Sequence, residues 1–302
     1  MKTYVAGIVT YNPDIERLEN NVRAIIGQIS SIVIVDNGSD NIVELKELLE
    51  RYNNVEVICN KKNLGIAHAL NQICGDVINK GAKWCLLLDQ DSICSDNIIS
   101  EYAKYVDEDD VGILSPYIID EYKIPLDEYK KMKLSDSDNC KFAITSGSFV
   151  NLSVWGKVGG FWDELFIDGV DSEYSYKVRC NGYKILRINN CYIMHQQGNK
   201  TEKTHIYRVH KDMTGKKTIK PAFRFNYSQT RWYYMARNNM IIIRKYRKLN
   251  GIVKPLIRYV VRFMSVIMIE RKKIKVIRAI LKGFIEGIKY EVVPVIPLEK
   301  KL

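Results

Sequence analysis

The first half of the chain alternates between short, nearly continuous apolar runs and longer stretches in which apolar residues recur at helical spacing. The apolar runs cover 4–11, 31–37, 55–59 and 83–89, and the helix-like stretches lie near 14–28, 41–52 and 65–79. This alternation predicts βαβ units and a parallel sheet with helices on both faces. The almost unbroken apolar strands favour a sheet that is buried on both sides.

The pattern changes in the last third of the chain. The polar segment 199–220 predicts a loop that closes over a ligand, and long helical stretches follow it. We therefore predict a first α/β domain at 1–220 and a C-terminal helical region at 221–302.

The region 251–290 mixes aliphatic residues with regularly spaced cations. Lys254, Arg258 and Arg262 interrupt every long apolar window around them, which argues against a membrane-spanning helix. Apolar faces beside rows of Lys and Arg are typical of helices that lie in the lipid headgroup region. A dimer interface or a helical cap over the first domain accounts for the same pattern.

Composition is that of a globular protein, but charge is divided unevenly. The 302 residues are 46% hydrophobic and 27% charged, with a net charge of +11. Residues 1–198 hold 20 Lys/Arg against 29 Asp/Glu, a balance of −9, and residues 199–302 hold 26 against 6, a balance of +20. This asymmetry predicts an anionic partner for the last third. Because that part shows no nucleic-acid-binding motif and the rest is acidic, we favour an anionic membrane surface over nucleic acid.

Cysteine usage and the N-terminus bear on the compartment. The seven cysteines are scattered and form no Cys-x-x-Cys pair; they lie at 59, 74, 85, 94, 140, 180 and 191. An odd, scattered set predicts reduced core thiols and a cytoplasmic protein. The opening MKTYVAGIVTYNP is too short in its apolar run for a signal sequence and predicts the first strand.

Polar residues concentrate where the predicted strands end. Three such groups are Thr10-Tyr11-Asn12, Asp36-Asn37-Gly38-Ser39 and Asp89-Gln90-Asp91. In open α/β sheets ligands bind beyond the carboxyl ends of the strands. Two carboxylates separated by one residue also suit a divalent cation such as Mg²⁺ or Mn²⁺, which prefers oxygen ligands and leaves positions for substrate phosphates. A simple turn explains the same Asp-x-Asp sequence.

A series of ordered motifs extends this picture. They read VTYNP, VDNGSDN, NKKNLGIAHALN, LLLDQDS, TSGSFV, GGFWDELFIDGVDSEYSYKVRCNGYKI and IMHQQG. In order and spacing these motifs resemble the inverting family 2 glycosyltransferases of GT-A fold, and most of all their rhamnosyltransferase branch. The resemblance covers about the first 200 residues. It implies a Rossmann-like, mostly parallel central sheet with flanking helices, here followed by a basic C-terminal helical region.

The resemblance implies which residues bind a nucleotide-diphosphate sugar donor. It makes Asp36 the contact of the pyrimidine ring, with Thr10, Tyr11 and Asn12 beside the base and ribose. An Asx turn leading into the next helix explains Asp36 equally well.

The diphosphate is expected at the start of the third helix. Asn63 and Gly65 precede that helix, and Gly65 allows close backbone approach where helix amides favour an anion. An ordinary helix start explains the same two residues.

The resemblance also implies a metal site. It makes Asp91 a direct ligand of Mn²⁺ or Mg²⁺, while Asp89 contacts the ribose or sugar of the donor, directly or through the metal shell. His195 would complete the shell, and imidazole suits Mn²⁺ better than Mg²⁺. A satisfied histidine at a strand end is the alternative for His195.

A catalytic base is expected in a second acidic group. Asp168, Asp171 and Glu173 crowd the first turn of a predicted amphipathic helix with Val170, Tyr174 and Val178 on one face; helix capping by itself explains the acids. The spacing from Glu173 to Gly182 resembles the family motif and makes Asp171 the base that removes the proton of the acceptor hydroxyl. Asp168 is the second candidate.

Further residues are candidates for the acceptor side. They are Ser146 and Gly147 in TSGSFV, Asp168, and Arg231 and Arg237 with Asn238 in the helix that follows residue 228. A basic helix that only covers the sheet explains the last three equally well.

Together these observations predict a metal-dependent inverting glycosyltransferase on the inner face of the cell membrane. The resemblance alone implies dTDP-L-rhamnose as donor and a lipid-linked or polysaccharide acceptor in cell-surface glycan synthesis. A UDP-hexose donor, or a noncatalytic sugar-nucleotide or nucleic-acid-binding protein, is the alternative. The presence of Asp171 argues against a noncatalytic sugar-nucleotide binder.

Overall fold

The chain forms two compact units in the computed structural model, which describes residues 3–119, 126–194, 202–211 and 217–298. The N-terminal unit contains Met1–Phe166, Val170–His195 and Pro297–Leu302, and the C-terminal unit contains Ile167–Gly169 and Gln196–Ile296. The C-terminal unit thus begins before the boundary at residue 220 that the change of sequence pattern predicts. The division into a catalytic part and a helical part at residue 220 stays a prediction.

The first seven elements of the N-terminal unit follow the predicted alternation of strand and helix. They are β1 Val5–Thr10, α1 Ile15–Ile26, β2 Ser31–Asp36, α2 Ile42–Leu49, β3 Val55–Cys59, α3 Ile66–Asn79 and β4 Trp84–Asp89. The unit continues with β5 Ile93–Cys94, α4 Ile98–Tyr102, β6 Val111–Ile119, α5 Leu126–Lys130, β7 Ser137–Asn139, β8 Phe149–Asn151, α6 Leu152–Val158, a 3-10 turn at Asp163–Leu165, α7 Val170–Cys180 and β9 Lys184–Met194.

These strands form one mixed sheet in the order β3-β2-β1-β4-β8-β6-β9-β5, with β7 paired to β9. Strands β3, β2, β1 and β4 are parallel, as the alternation predicts. Strand β8 runs antiparallel to both β4 and β6, and β6 pairs with β9 in parallel. The predicted α/β class is therefore confirmed, and the carboxyl ends of β1, β2 and β4 meet at one edge.

Burial explains why the sequence pattern worked here. The central strands β1, β2 and β4 are buried almost throughout, and α1 contributes Leu18, Val22 and Ile25 to the core beneath them. Helix α1 begins after Asp14, whose side chain accepts a hydrogen bond from Arg17 N at 3.1 Å. Each fully buried aliphatic side chain of this kind stabilises the fold by about 1.5–3 kcal/mol.

The cysteines follow the prediction in most positions. All seven lie in described parts of the chain and are unpaired, and five of them are buried. Cys59 is exposed and Cys140 is half-buried, so these two are not core thiols. Burial raises the pKa of the Cys94 thiol to about 12, which makes it a poor nucleophile at neutral pH.

The C-terminal unit consists of a hairpin followed by helices. Its elements are β10 Glu202–Lys211, β11 Lys217–Arg224, α8 Gln229–Lys245, α9 Arg247–Asn250, α10 Val253–Ile269 and α11 Lys273–Lys289. The loop expected at 199–220 is wrong for its described residues, because β10 and β11 pair antiparallel. A two-stranded ribbon pairs the facing backbone groups of its strands and needs no buried apolar face. Strand prediction from sequence depends on such a face, so this polar segment was predicted to be a loop.

The helices of this unit share a small core of their own. It is built from Trp232, Met235, Ala236, Tyr259, Phe263, Val276, Ala279 and Ile280. Helices α8 and α11 approach closely at Gly283, where a Cβ atom would lie 2.2 Å from the carbonyl oxygen of Tyr233. Among the described helices, none has the length and apolar character needed to cross a bilayer.

Candidate active site

The site is built at the edge where the parallel strands of the N-terminal unit end. Thr10 of β1 is in register with Asp36 of β2, and Val9 is in register with Asp89 of β4. Because parallel strands end at the same edge, the polar groups that follow each strand are brought together.

The carboxylate of Asp36 is buried and accepts four hydrogen bonds. Its Oδ2 accepts from the backbone nitrogens of Gly38 at 3.0 Å and Ser39 at 2.9 Å. Its Oδ1 accepts from the hydroxyls of Thr10, at 3.0 Å, and Ser39. The two backbone bonds form the Asx turn that we considered for Asp36, and the two hydroxyl donors are the groups that can rotate.

Residues after β1 are held by neighbouring loops. Asn12 has a left-handed backbone with φ 46°, and its side-chain oxygen accepts from Asp40 N at 2.7 Å. Tyr11 N donates to the side-chain oxygen of Gln90 at 2.8 Å, while the Tyr11 ring is 48% exposed. Gln90, the middle residue of the Asp-x-Asp sequence, thus connects β1 to the loop after β4, a contact that the sequence did not indicate.

The start of α3 is organised by Asn37, which sequence reasoning did not single out. Its buried amide donates to Gly65 O at 3.0 Å and accepts from Leu64 N at 3.2 Å. Asn63 accepts from Gly65 N at 2.9 Å. Gly65 has φ 92°, and a Cβ atom there would lie 2.8 Å from Phe166 O, so glycine is required at this position.

The loop after β4 is fixed through its backbone. Asn21 Nδ2 donates to Asp89 O at 2.7 Å, and Arg17 Nε donates to Asp91 O at 3.4 Å. Asp89 N donates to the hydroxyl of Ser146 at 3.1 Å. Both aspartate side chains are half-buried. These three hydrogen bonds hold the loop through its backbone atoms and do not involve the two carboxylate groups.

Ser146 and Gly147 lie beneath this loop and are buried. The Ser146 hydroxyl is 2.6 Å from that of Ser92, and Gly147 N donates to Leu87 O at 2.8 Å. Ser146 therefore supports the Asp89–Asp91 loop, whereas Gly147 is bonded to strand β4.

The donor set fits a divalent cation whose coordination is completed from outside the protein. Asp89 and Asp91 offer the carboxylate oxygens that Mg²⁺ and Mn²⁺ prefer. Within the described ranges, no three His, Cys, Asp or Glu side chains are grouped to hold a metal. His195 lies outside the described residues. A cation held by one or two carboxylates takes its other ligands from water and phosphates.

Helix α7 carries Asp171 and Glu173 in its first turn as expected, whereas Asp168 precedes the helix. Val170, Tyr174 and Val178 are buried on one face, which confirms the predicted amphipathic pattern. Asp171 is half-buried, and its Oδ1 accepts from Ser172 N at 2.7 Å. Its side chain lines a cavity of about 10 Å³, together with Thr145 and Ser148. A cavity of this size is about the smallest that holds one water molecule.

Glu173, by contrast, is fully buried. Its Oε2 lies 3.4 Å from Lys177 Nζ, and that lysine also donates to Gly160 O at 2.7 Å. Glu173 is therefore part of the packing of α7, and Asp171 is the acid of this helix that lines the cavity.

The remaining candidates belong to the C-terminal unit and bind one another. Arg231 Nε and Nη2 donate to the Asp168 carboxylate at 3.2 and 3.4 Å, and the guanidinium lies 4.0 Å from the centre of the Tyr227 ring. Asp168 has a left-handed backbone with φ 64°. Burial raises the pKa of the Tyr227 hydroxyl, and the Arg231 charge opposes that effect.

Asn238 explains how the strained segment at Asp168 is held. Its buried side-chain nitrogen donates to Ile167 O at 2.9 Å and to Asp168 O at 2.8 Å, and its oxygen accepts from Arg237 at 3.0 Å. Arg237 also lies 4.9 Å from the centre of the Tyr290 ring. Asn238 is thus a structural residue of α8, a role that only the tertiary structure identifies.

Comparison with known proteins identifies the family of this chain. The model of the family described as "Glycosyl transferase family 2" matches residues 6–156, which is half of the chain. The dTDP-rhamnosyl transferase RfbF of Shigella flexneri is 28% identical over 299 residues, covering 94% of this chain and 95% of that protein.

Two solved structures share the fold. The structure of S. aureus TarS 1–349 in complex with UDP has a TM-score of 0.56 at 14% identity, covering 95% of this chain and 81% of that chain. GalNAc-T7 with UDP, GalNAc and Mn²⁺ has a TM-score of 0.52 at 18% identity, covering 65% of this chain and 44% of that chain. This likeness confirms the predicted GT-A fold.

Proposed function

The chain belongs to glycosyl transferase family 2 and is a glycosyltransferase, and from this premise we propose that it transfers L-rhamnose from dTDP-L-rhamnose with inversion. The observation that carries the proposal is the convergence of Asp36 with the Asp89–Asp91 loop at one edge of the sheet. That edge supplies a buried acceptor for a base and two carboxylates for a cation. The similarity to the rhamnosyl transferase, over nearly all of both chains, supports the choice of sugar.

The pyrimidine binds at Asp36. Its Oδ1 receives hydrogen bonds from two hydroxyls, Thr10 and Ser39, and hydroxyls can rotate to release it. Oδ1 then accepts from the imide N–H of the base, while Oδ2 keeps its two backbone bonds. The exposed ring of Tyr11 and the side chain of Asn12 lie beside the base and ribose.

The diphosphate binds between the start of α3 and the loop after β4. Asn63 and Gly65 shape the backbone there, and the glycine lets a phosphate approach closely. Asp91 would hold the divalent cation, Mn²⁺ or Mg²⁺, and Asp89 and His195 are the further candidate ligands. When bound, the cation offsets negative charge on the departing nucleotide diphosphate.

Asp171 serves as the catalytic base. It accepts the proton of the acceptor hydroxyl as that oxygen bonds to the anomeric carbon and the bond from that carbon to the diphosphate oxygen breaks. One displacement inverts the anomeric centre. A second carboxylic acid is not needed, because the nucleotide diphosphate is a good leaving group.

The acceptor is a lipid-linked glycan, and the enzyme works at the cytoplasmic face of the cell membrane. Asp168, Arg231 and Arg237 are acceptor-side candidates of the C-terminal unit. Ser146 and Gly147 are further acceptor-side candidates: Ser146 binds the loop after β4, and Gly147 binds β4 at Leu87.

A UDP-hexose is the second candidate donor. It is favoured by the fold shared with the TarS structure, which is in complex with UDP and is matched over 95% of this chain. Asp36 does not discriminate between the two donors, because uracil and thymine present the same imide N–H. Discrimination depends on the methyl group of thymine and on the 2′-hydroxyl of the ribose.

A donor panel tests the proposal. The purified protein is given dTDP-L-rhamnose, UDP-glucose or UDP-galactose with Mg²⁺, with Mn²⁺ or with a chelator, and release of the nucleoside diphosphate is measured. We expect the highest turnover with dTDP-L-rhamnose and loss of turnover with the chelator. Asp91→Asn should abolish metal-dependent nucleotide binding, whereas Asp96→Asn, at an exposed aspartate nearby, should not.

Three results would contradict parts of the proposal. Turnover of UDP-hexoses alone would identify the second donor class. Absence of turnover with every nucleotide sugar would point to a noncatalytic binder. Unchanged nucleotide affinity with Mn²⁺ in the Asp91→Asn protein would refute the metal assignment.

A further inference from the structure

Helix α10 has an exposed apolar stripe along its length. Its buried side packs through Tyr259 and Phe263 into the core of the C-terminal unit. A second set of bulky apolar residues, each at least 49% exposed, follows helical spacing on another side: Val253, Ile257, Val260, Val261, Met264 and Met268. Contiguous exposed apolar surface of this kind marks a site of interaction with a protein or a membrane.

A row of cations runs beside this stripe. Lys254, Arg258 and Arg262 are exposed and four residues apart, and the sequence of α10 contains no Asp or Glu. At about 100° per residue the stripe lies between the buried side of the helix and the cation row. The helix therefore presents apolar and positively charged surface next to each other.

Helix α11 repeats the same arrangement. Ile274, Leu281, Ile285 and Ile288 are exposed, and its buried side includes Val276, Ala279, Ile280 and Gly283. The cations Arg278, Lys282 and Lys289 are exposed beside these apolar residues. The single acid of α11, Glu286, is hydrogen-bonded to the hydroxyl of Tyr233. Two helices of one unit thus share the order buried side, apolar stripe, cation row.

We infer that the exposed apolar and cationic residues of α10 and α11, here called the stripe-and-row surface, bind a bilayer rich in anionic lipids. The apolar stripes enter the boundary between headgroups and acyl chains, and the cations contact lipid phosphates. This inference rests on and deepens the proposed function, because it names the surface by which the enzyme reaches a lipid-linked acceptor.

The charge of the stripe-and-row surface favours a membrane over a second copy of the chain as its partner. Self-association through this surface would bring like-charged rows together, with no acid on α10 and one, already bonded, on α11. Such juxtaposition of like charges is unfavourable. A nucleic acid would satisfy the cations but leave the apolar stripes in contact with water or phosphate. An anionic bilayer complements both parts of the surface.

Vesicle binding of the full chain tests this inference. Co-sedimentation is measured with phosphatidylcholine vesicles, alone or mixed with phosphatidylglycerol, at low and high salt. Two double variants are compared with the parent: Lys254→Gln with Arg258→Gln, and Val260→Ser with Met264→Ser. Matched controls in the N-terminal unit are Lys46→Gln with Lys83→Gln, and Val43→Ser, where valine is 65% exposed on α2.

The parent should bind the mixed vesicles at low salt and release partly as salt rises. The cation variant should bind about 25-fold more weakly at low salt, since each of its two cations contributes roughly a fivefold gain near such a surface. The stripe variant should bind at least about tenfold more weakly at both salt concentrations, because loss of apolar contact is not screened. The control variants should match the parent.

Several outcomes would overturn the inference. These are absence of parent binding to mixed vesicles at low salt, equal losses in the control variants, or a stripe variant that changes only the sedimentation mass of a dimer. Circular dichroism verifies that each variant is folded. If the stripe variant does not fold, the cation variant, whose substitutions are at exposed positions, still tests the inference. Donor turnover is measured in parallel. Vesicle binding without donor turnover would contradict the proposed function but support the membrane-binding surface. Donor turnover without vesicle binding would support the proposed function but contradict the membrane-binding surface.

Discussion

Asp36 has two interpretations, as a turn former and as the contact of the base, and one substitution separates them. Asp36→Asn keeps an oxygen for the backbone nitrogens of Gly38 and Ser39 and turns an NH₂ group toward the hydroxyls of Thr10 and Ser39, which then accept. The turn is retained, but the acceptor for an imide N–H is lost. We expect nucleotide affinity to fall by about 10- to 100-fold, the value of a hydrogen bond to a charged group. Calorimetry with dTDP and with UDP measures it.

The neighbouring Asp40→Asn is the control, because Asp40 is exposed and its backbone, not its carboxylate, bonds to Asn12. If the Asp36→Asn protein binds nucleotide as tightly as the parent, the Asp36 carboxylate forms the turn and does not bind the base.

Asp171 and Asp168 are close in sequence but differ in their contacts. Asp168 is paired with Arg231, whereas Asp171 lines a small cavity of the N-terminal unit. Asp171→Asn keeps the shape and removes the ability to accept a proton, so transfer should fall by about 10²-fold or more with donor affinity retained. Single-turnover kinetics and nucleotide titration together measure this split.

Asp168→Asn provides the comparison for the base. It weakens the pair with Arg231 and leaves Asp171 intact, so its transfer rate should fall less. A larger loss in Asp168→Asn than in Asp171→Asn would transfer the role of base to Asp168.

At the scale of elements, the packing of α8 on α11 depends on glycine. A Cβ atom at Gly283 would lie 2.2 Å from Tyr233 O, so Gly283→Ala forces backbone to move and should destabilise the protein by about 1–3 kcal/mol. Gly75 of α3 has no atom within 4 Å of the added Cβ. Gly75→Ala should therefore stabilise the helix, by up to about 1 kcal/mol.

Urea unfolding followed by circular dichroism compares these two alanine variants. The same substitution is made on two helices, so opposite shifts of the midpoint isolate the effect of close packing. A Gly283→Ala midpoint at or above that of the parent would mean that α8 and α11 do not pack as closely as described.

At the scale of the whole molecule, the proposed donor site and the proposed membrane-binding surface lie in parts of the chain with opposite net charge. The acidic first 198 residues, with a balance of −9, contain the proposed donor site, and the remainder carries +20. Because screening strengthens as salt rises, transfer to a lipid-linked acceptor in anionic vesicles should fall between about 0.05 and 0.5 M salt. Donor hydrolysis without vesicles should stay within about twofold over the same range. Parallel decline of both rates would attribute the salt effect to the active site instead.

Local periodicity and chain order determined the α/β class, the parallel first half of the sheet and the meeting of Thr10, Asp36 and Asp89 at one edge. These features follow from the sequence because apolar spacing specifies which face of an element is buried, and βαβ connections bring the carboxyl ends of parallel strands together. The amphipathic face of α7 followed in the same way. Motif order supplied the family, and the first four motifs lie at the carboxyl ends of β1, β2, β3 and β4.

Only the tertiary structure decided which polar groups bond to one another. Two of these hydrogen bonds join residues far apart in sequence, Tyr11 with Gln90 and Asn21 with Asp89. No hydrophobic periodicity in the sequence indicates either pair. Asn238 is an acceptor-side candidate by sequence, and its structural role appears only once its two backbone partners, Ile167 and Asp168, are known. The β10–β11 ribbon was likewise missed because it is held by backbone pairing between polar strands. Such contacts depend on distances in space, which the order of residues along a chain does not specify.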